Sequence, residues 1–281
     1  MGEGEVFGLV GPDGAGKTTT MRMLAAILEP TSGEVSVAGI DVKEEPEAVR
    51  DVIGYMSQRF GLYSDLTVME NLDFYADLYG VPRQGRGEQV ERLLAFSNLA
   101  PFKRRLAGNL SGGMKQKLGL ACALIHTPKV LLLDEPTNGV DPVSRRDFWR
   151  ILYQLLKERV TIFVSTAYLD EAERCNRIGL MHQGRLLACD TPSGVKGLMA
   201  GTLLEIRCGS CRDSARVLRE AGERSVAVFG DRVHVVVEDG EAGSDRVASA
   251  LKRSGASSFD IHVAEPSLED VFMAAVPGGE A

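Results

Sequence analysis

Near its start the chain carries Gly11-Pro12-Asp13-Gly14-Ala15-Gly16-Lys17-Thr18-Thr19, between an apolar run at 6–10 and a helical pattern at 21–28. A strand, a glycine-rich loop and a helix in this order are the context of a phosphate-binding loop. Glycines let the backbone direct several N–H groups into one concavity, and the helix start adds its positive end. We therefore expect a bound nucleoside triphosphate, with Lys17 at its β- and γ-phosphates and the Thr18 hydroxyl on Mg²⁺. A glycine-rich turn with an incidental lysine is the alternative.

Length and composition are those of an ordinary globular chain. Its 281 residues suffice for one large and one small domain, and 44% of them are hydrophobic. The formal net charge of -7 argues against a nucleic-acid partner, which usually meets a basic surface. Apolar stretches such as 118–125 are much shorter than the ~20 residues that span a bilayer, and no apolar signal region opens the chain. We expect a cytoplasmic protein.

The five cysteines form no repeating framework, which is typical of reduced thiols in the cytosol. Cys208-Gly209-Ser210-Cys211 has the spacing of a redox or zinc-binding pair. No second pair or histidine lies close to it in the sequence, so two incidental thiols near a strand end are the favoured interpretation.

Apolar strands alternate with helical segments over most of the chain, which indicates a mainly parallel sheet with helices on both faces. Residues from about 60 to 127 are mostly helical in pattern and predict a helical subdomain. After about residue 201 the order becomes β-α-β-β-α-β, the ferredoxin-like split unit. We therefore predict an α/β domain over 1–200 and a small α+β domain over 201–281.

A second candidate site follows the apolar strand at 130–133. Asp134 stands at the carboxyl end of that strand, where open α/β sheets bind ligands, and can hold Mg²⁺ opposite Thr18. Glu135 is then placed to activate the attacking water as a general base. Gln58, at another strand end, could contact the metal or that water. Asp134 and Glu135 alone could be a solvated strand end, but the phosphate loop favours a joint catalytic role.

Residues 110–116, Leu110-Ser111-Gly112-Gly113-Met114-Lys115-Gln116, resemble the signature motif of ATP-binding cassette (ABC) ATPases. Over about residues 5–195, further segments are similar to motifs of that family: 11–19 to Walker A, Gln58 to the Q-loop, 130–135 to Walker B and 139–141 to the D-loop. The resemblance implies a P-loop NTPase fold of the ABC type with a helical subdomain.

The same resemblance implies a head-to-tail dimer of nucleotide domains, with two ATP molecules at the interface. Ser111, Gly112 and Gly113 of one subunit would cap the γ-phosphate bound to the other, and Asp141 of the D-loop would join the nucleotide-contacting set. A serine hydroxyl, two glycine N–H groups and a helix N-terminus do make an anion site. That site faces away from its own phosphate loop and needs a partner.

The closing residues 265–272 and the ferredoxin-like tail look like the C-terminal extension of ABC-2-type export ATPases of the drug-resistance (DrrA-like) branch. Residues 8–14, 60–63 and 105–107 are similar to the first half of YbhF-type exporters, in which two nucleotide domains share one polypeptide. This implies an ATPase subunit on the cytoplasmic face of the membrane, powering a multidrug or related exporter.

The membrane subunit of this exporter would dock near residues 60–79, among Phe60, Tyr63, Phe74, Tyr75 and Tyr79. About half of these aromatic residues would instead fill the core of the helical subdomain.

The sequence departs from the family at one position. The family has a switch histidine that contacts the γ-phosphate, and the residue aligned with it here is Ala167. A methyl group cannot donate a hydrogen bond, and one transition-state donor is worth about 10²–10³ in rate. We therefore expect ATP to bind but to turn over slowly. The alternative is a degenerate partner whose ATP stabilises a dimer while another domain hydrolyses, although Glu135 and the Walker motifs oppose it.

A second departure lies at the start of the chain. The family's opening strands, with the aromatic residue that stacks on adenine, would precede residue 5. We expect these strands to be missing, because the start codon was assigned too far downstream or because the sequence is truncated. Otherwise the adenine would bind without an aromatic residue stacked on it.

A soluble ABC ATPase of translation or DNA repair is disfavoured by the acidic charge and the export-type tail. The transported substrate and the choice between homodimer and paired cassette stay open.

Overall fold

The computed structural model describes residues 1–58, 61–223, 225–256 and 258–275. The chain divides into two units, Met1–Cys189 and Asp190–Ala281, so the structural division lies before the boundary expected at residues 200 and 201. Phe60, one of the aromatic residues assigned to partner docking, lies outside the described residues.

The central sheet of the first unit has the strand order β4-β5-β6-β1-β7-β8. A separate two-stranded sheet pairs β2 with β3. The strands are β1 (Val6–Val10), β2 (Ser36–Val37), β3 (Ile40–Asp41), β4 (Ile53–Met56), β5 (Val130–Asp134), β6 (Thr161–Thr166), β7 (Arg177–His182) and β8 (Arg185–Asp190).

Seven α-helices are described in this unit: α1 (Lys17–Leu24), α2 (Pro46–Val52), α3 (Val68–Leu78), α4 (Arg83–Phe96), α5 (Gly112–Ala123), α6 (Pro142–Lys157) and α7 (Leu169–Ala172). The sequence pattern predicts a helix over about 88–97, whereas α4 begins earlier, at Arg83, and is interrupted at Gln84 and Gly85. A reciprocal capping box between Thr67 and Glu70 starts α3. None of the described helices is both long enough and apolar enough to cross a bilayer.

The strand register brings three functional segments to one edge of the sheet. β1, β5 and β6 are parallel neighbours, with Val10 opposite Thr166 and Asp134 opposite Ser165. Their apolar side chains, such as Leu131 and Leu133, are buried because helices cover both faces of the sheet. The loop after β1 and the residues that end β5 and β6 therefore meet, as expected for ligand binding at the carboxyl ends of parallel strands.

The second unit contains α8 (Pro192–Lys196), β9 (Thr202–Cys208), α9 (Cys211–Glu220), β10 (Ser225–Phe229), β11 (Arg232–Val237), α10 (Gly240–Arg253), β12 (Phe259–Ala264) and α11 (Leu268–Ala275). Its antiparallel sheet has the order β10-β11-β9-β12, the arrangement of a ferredoxin-like split unit. Leu204, Ile206 and Val235 pack with α9 and α10 in its core. α8 packs against α11, which is why residues 190–200 belong with this unit.

The cysteines of the described chain are free thiols. Cys208 ends β9 and Cys211 begins α9, with their sulfur atoms 3.6 Å apart. Within the described residues, no group of three or more His, Cys, Asp or Glu side chains could hold a metal ion. The zinc interpretation of this pair therefore gains no support from the structure.

A histidine joins α11 to the sheet of the second unit. His234 Nδ1 lies 2.7 Å from Asp270 Oδ1 of α11, and its Nε2 lies 3.6 Å from Glu205 Oε2 of β9. The ring of Phe229 on β10 packs against the imidazole. The hydrogen bond to Asp270 raises the pKa of His234 above its ordinary value. Burial opposes ionisation of Asp270, but hydrogen bonds from His234 and Ser267 outweigh it and lower the pKa of that carboxyl.

The raised pKa of His234 makes the stability of this unit depend on pH. Its stabilising contribution is complete below the ordinary histidine pKa, about 6.5, and is lost as the pH rises through the higher native pKa. We expect the calorimetric unfolding transition of the second unit to shift to lower temperature as the pH rises above about 6.5. His234→Gln should remove most of this shift; a shift of unchanged size in the variant would assign it to other groups.

Candidate nucleotide-binding site

The loop between β1 and α1 needs its glycines for different physical reasons. Gly14 and Gly16 have φ angles of 77° and 107°, in the left-handed region that glycine adopts readily. At Gly11, a Cβ atom would lie 2.1 Å from the backbone carbonyl oxygen of Met181. The loop therefore combines left-handed turns with a close approach to β7.

Lys17 is the buried cation of this loop, with only 4% of its side chain exposed. Its Nζ donates to the carbonyl oxygens of Gly11 at 2.8 Å and Pro12 at 3.0 Å. The same Nζ lies 3.0 Å from Glu135 Oε1. A buried ammonium needs such partners to offset the loss of water, and it has three N–H donors to share. An incoming phosphate can take over donors that the resting loop uses internally.

The Asp134 carboxylate is surrounded by oxygen atoms, as a magnesium ligand would be. Its Oδ1 accepts from Ser165 Oγ at 2.7 Å and from Thr18 Oγ1 at 3.2 Å. Its Oδ2 is buried and has no hydrogen-bond partner among the described residues. Mg²⁺ prefers oxygen ligands and commonly takes one or two protein side chains beside substrate phosphates. The oxygen atoms of Thr18 and Asp134 therefore fit a magnesium ion.

Glu135 faces Lys17 from the turn that follows β5. Its φ of 48° is uncommon for a residue with a side chain, and such strain of about 1–3 kcal/mol often marks functional sites. Its backbone N–H donates to Ser165 Oγ at 2.9 Å. Its Oε2 accepts from Gln58 Nε2 at 2.8 Å and Asn138 Nδ2 at 3.2 Å. Lys17, Gln58 and Asn138 thus fix the carboxylate beside the loop, while Ser165 fixes the backbone of Glu135.

Two adjoining cavities show which predicted residues come together. The first, about 300 Å³, is lined by Asp13, Gly14, Gly16, Lys17, Thr18, Thr19, Gln58 and Glu135. The second is lined by Asp13, Glu135, Thr137, Asn138, Thr166, Ala167 and Tyr168. The exposed methyl group of Ala167 therefore stands beside the catalytic candidate, where the family resemblance places the switch residue.

The signature segment lies elsewhere on the surface. Ser111 and Gly112 are exposed at the start of α5, where Ser111 Oγ accepts from the N–H of Met114 at 3.3 Å. Gly113 is buried, and a Cβ there would lie 2.6 Å from Ser144 Oγ of α6. Asp141 caps α6, and hydrogen bonds from Ser144 lower the pKa of its carboxyl. None of residues 111–113, nor Asp141, lines the two described cavities.

Sequence reasoning missed two polar groups of this site, Ser165 and Asn138. Ser165 bonds to both Asp134 and Glu135, and Asn138 donates to Glu135. Ser165 could have been found from its place at the end of an apolar strand that neighbours the Walker B strand. Asn138 had no comparable signal, because its contact depends on the turn after Glu135.

Fold and site together define a P-loop nucleotide-binding protein, and comparisons with known proteins agree. The sequence pattern of the family described as "ABC transporter" matches residues 1–138. The chain is 47% identical over 273 residues to "Probable multidrug ABC transporter ATP-binding protein YbhF" of Escherichia coli (strain K12), across 96% of this chain and 46% of that protein. It is 37% identical over 279 residues to "Daunorubicin resistance ATP-binding protein DrrA2" of Streptomyces coeruleorubidus, across 97% and 87% of the two chains.

A solved structure has the same fold. It is described as "Dimeric structure of a post-hydrolysis state of the ATP-binding cassette MJ0796 bound to ADP and Pi", and it matches 68% of this chain and 87% of its own, with a TM-score of 0.62 and 26% identity. The chain belongs to the ABC transporter family, and the predicted resemblance to its drug-resistance export branch is confirmed. It spans about half the length of the YbhF protein that it matches.

The loop geometry predicts different costs for two similar substitutions. The methyl group of Gly14→Ala meets open space. The variant should destabilise the first unit only through the strain of a left-handed backbone at a non-glycine residue, about 1–2 kcal/mol. Gly11→Ala forces a methyl group against the Met181 backbone. Overpacking of this kind typically costs about 1–3 kcal/mol, and we expect the loss of unfolding free energy to reach or exceed the upper end of that range. Urea unfolding followed by fluorescence of Trp149, the single tryptophan, measures both. A smaller loss for Gly11→Ala would contradict the close approach to β7.

Proposed function

We propose that the chain is the ATP-binding and ATP-hydrolysing component of an ABC-2-type membrane exporter, working through nucleotide-dependent dimerisation. The observation that carries this proposal is the arrangement of Asp134 and Glu135 against Lys17 and Thr18 across the loop cavity. A buried lysine, a carboxylate with a free buried oxygen and a second carboxylate at the mouth are the parts that phosphoryl transfer to water requires.

Each side chain has a defined task in this proposal. Lys17 binds the β- and γ-phosphates, while Thr18 and Asp134 hold Mg²⁺, which neutralises charge on the phosphates when bound. Glu135 orients the attacking water and accepts its proton. Gln58 donates a hydrogen bond to Glu135 and would contact the metal or the attacking water. Asp13, Thr19 and the loop N–H groups complete the phosphate cradle.

A second nucleotide domain would complete the site. Ser111 and Gly112 are exposed at a helix start outside the described cavities, so this anion site is free to meet a nucleotide held by another subunit. Gly113 packs on Ser144, next to the Asp141 cap, which places the signature and D-loop side by side on one surface. The partner is a second copy or a paired cassette.

The membrane subunit would dock on the aromatic surface of the helical subdomain. Tyr63 is 45% exposed and Leu78 is 64% exposed, and the Phe74 ring packs edge-on against Tyr63. Tyr75 and Tyr79 are half-buried, so they serve the subdomain core as well. An apolar surface of this kind suits an amphipathic helix of a partner. This docking would hold the chain at the cytoplasmic face of the membrane, and the names of its relatives suggest drugs as the transported class.

A second candidate function rests on Ala167. Its methyl group offers no hydrogen-bond donor at the cavity beside Glu135, so turnover at this chain's own site would be slow. The chain would then act as a degenerate partner whose bound ATP stabilises the dimer while another cassette hydrolyses.

Glu135→Gln tests the main proposal. The variant keeps the side-chain shape but loses the general base and the ion pair with Lys17, so ATP should still bind while hydrolysis falls by roughly 10²–10⁴-fold. ATP-dependent dimers should accumulate, which size-exclusion chromatography with light scattering detects. Glu47→Gln, an exposed site on α2, is the control. Absence of magnesium-dependent ATP binding by the wild-type chain would overturn the proposal.

Ala167→His tests the slow-turnover candidate. If position 167 lacks a transition-state donor, histidine should raise the hydrolysis rate by up to about 10²–10³-fold, with little change in ATP affinity. Ala167→Met, which adds length without an N–H donor, should not raise it. Equal rates for the histidine variant and the wild type would show that position 167 is not the switch position.

A further inference from the structure

A fully buried carboxylate lies behind the catalytic turn without lining either cavity. Glu171 on α7 has no exposed surface. Its Oε1 accepts from Thr137 Oγ1 at 2.6 Å, and its Oε2 accepts from Thr166 Oγ1 at 2.9 Å. Arg145 Nε of α6 lies 3.4 Å from Oε1. Burying a charge is expensive, and an ion pair seldom repays that cost by itself, so this group points to a specific positional role.

The two threonines lie on either side of Glu135, one in the turn that carries it and one at the end of β6. Thr137 lies two residues after Glu135, in a turn closed by the Asn138 N–H donating to the Glu135 carbonyl at 3.2 Å. Thr166 directly precedes Ala167, and its carbonyl accepts from the Gly11 N–H at 3.3 Å. Glu171 therefore connects the turn that carries the catalytic carboxylate with the strand end that contacts the phosphate loop.

Arg145 closes this network into a ring. Its guanidinium stacks over the Tyr168 ring, 4.2 Å from the ring centroid. Tyr168 Oη donates to Asn138 Oδ1 at 3.4 Å, and Asn138 Nδ2 donates to Glu135 Oε2. Asn138, which donates to the Glu135 carboxylate, is thus linked to Glu171 by three contacts, through Tyr168 and Arg145.

We propose that Glu171 is a positioning residue for ATP hydrolysis. Its two oxygens set the separation of the turns at 135–138 and 166–168, and thereby hold the Glu135 carboxylate in its strained, productive orientation. An ionised carboxylate can accept from both threonines at once, whereas a glutamine amide has only one acceptor oxygen. The inference rests on the proposed role of Glu135 as general base.

Glu171→Gln, compared with Glu173→Gln at the exposed position that directly follows α7, tests this role in the full chain. We expect the kcat of Glu171→Gln to fall roughly 10–100-fold, because small displacements of a catalytic group cost that much. KM for ATP and the affinity for ATP should stay near the wild-type values, because Glu171 touches neither cavity. A kcat equal to that of Glu173→Gln overturns the inference, and so does a loss of ATP affinity as large as the loss of kcat.

A second pair of variants applies if Glu171→Gln does not fold. Thr137→Val keeps the side-chain volume but removes the hydroxyl that donates to Glu171, whereas Thr137→Ser keeps the hydroxyl. The valine variant should reproduce the loss of kcat, and the serine variant should retain most of the activity. Equal rates for the two variants overturn the inference.

Hydrogen exchange separates this inference from the proposed function. If the wild-type chain proves inactive, the proposed function fails, and amide exchange over residues 134–141 still tests the link to Glu171. Faster exchange there in Glu171→Gln and Thr137→Val than in Thr137→Ser supports the link. Unchanged exchange overturns it.

Discussion

The buried ammonium of Lys17 is the constraint on which the site depends. With almost no access to water, it must be surrounded by oxygen, and it takes the carbonyls of Gly11 and Pro12 and the carboxylate of Glu135. These bonds hold the carbonyls of the loop against the side chain of Lys17, the first residue of α1. The ion pair ties the loop after β1 to the turn after β5. The resting site is thus already organised by the charges that a nucleotide would engage.

Strand pairing supplies the second half of the site. The register that places Asp134 opposite Ser165 lets one hydroxyl serve two acidic residues, since Ser165 Oγ donates to Asp134 and accepts from the N–H of Glu135. This leaves one Asp134 oxygen buried without a partner in the described chain, an unfavourable state that a cation would relieve. The signature segment is organised differently, because its exposed helix start is oriented by packing of α5 on α6.

Much of the site was predictable from the sequence. The phosphate loop is a local motif in which glycine positions, lysine and helix start all lie within a few residues, so its geometry follows from short-range sterics. Asp134 was predictable because an apolar run predicts a buried strand, and ligands gather at the carboxyl ends of such strands. Glu171 was not predictable, because its partners Thr137, Thr166 and Arg145 come from other turns and helices. The start of α4 at Arg83 was missed because Gln84 and Gly85 interrupt the helical pattern.

Local patterns in the amino-acid order were thus enough to specify a P-loop fold, a family resemblance that the comparisons confirm, and a βαββαβ order of elements after residue 201. Tertiary structure alone decided which strands are neighbours, that residues 190–200 join the second unit through α8 and α11, and that Lys17 pairs with Glu135. The physical reason is the range of the interactions. Turn sterics and hydrophobic periodicity act over a few residues, whereas buried charges choose their partners only after distant segments pack.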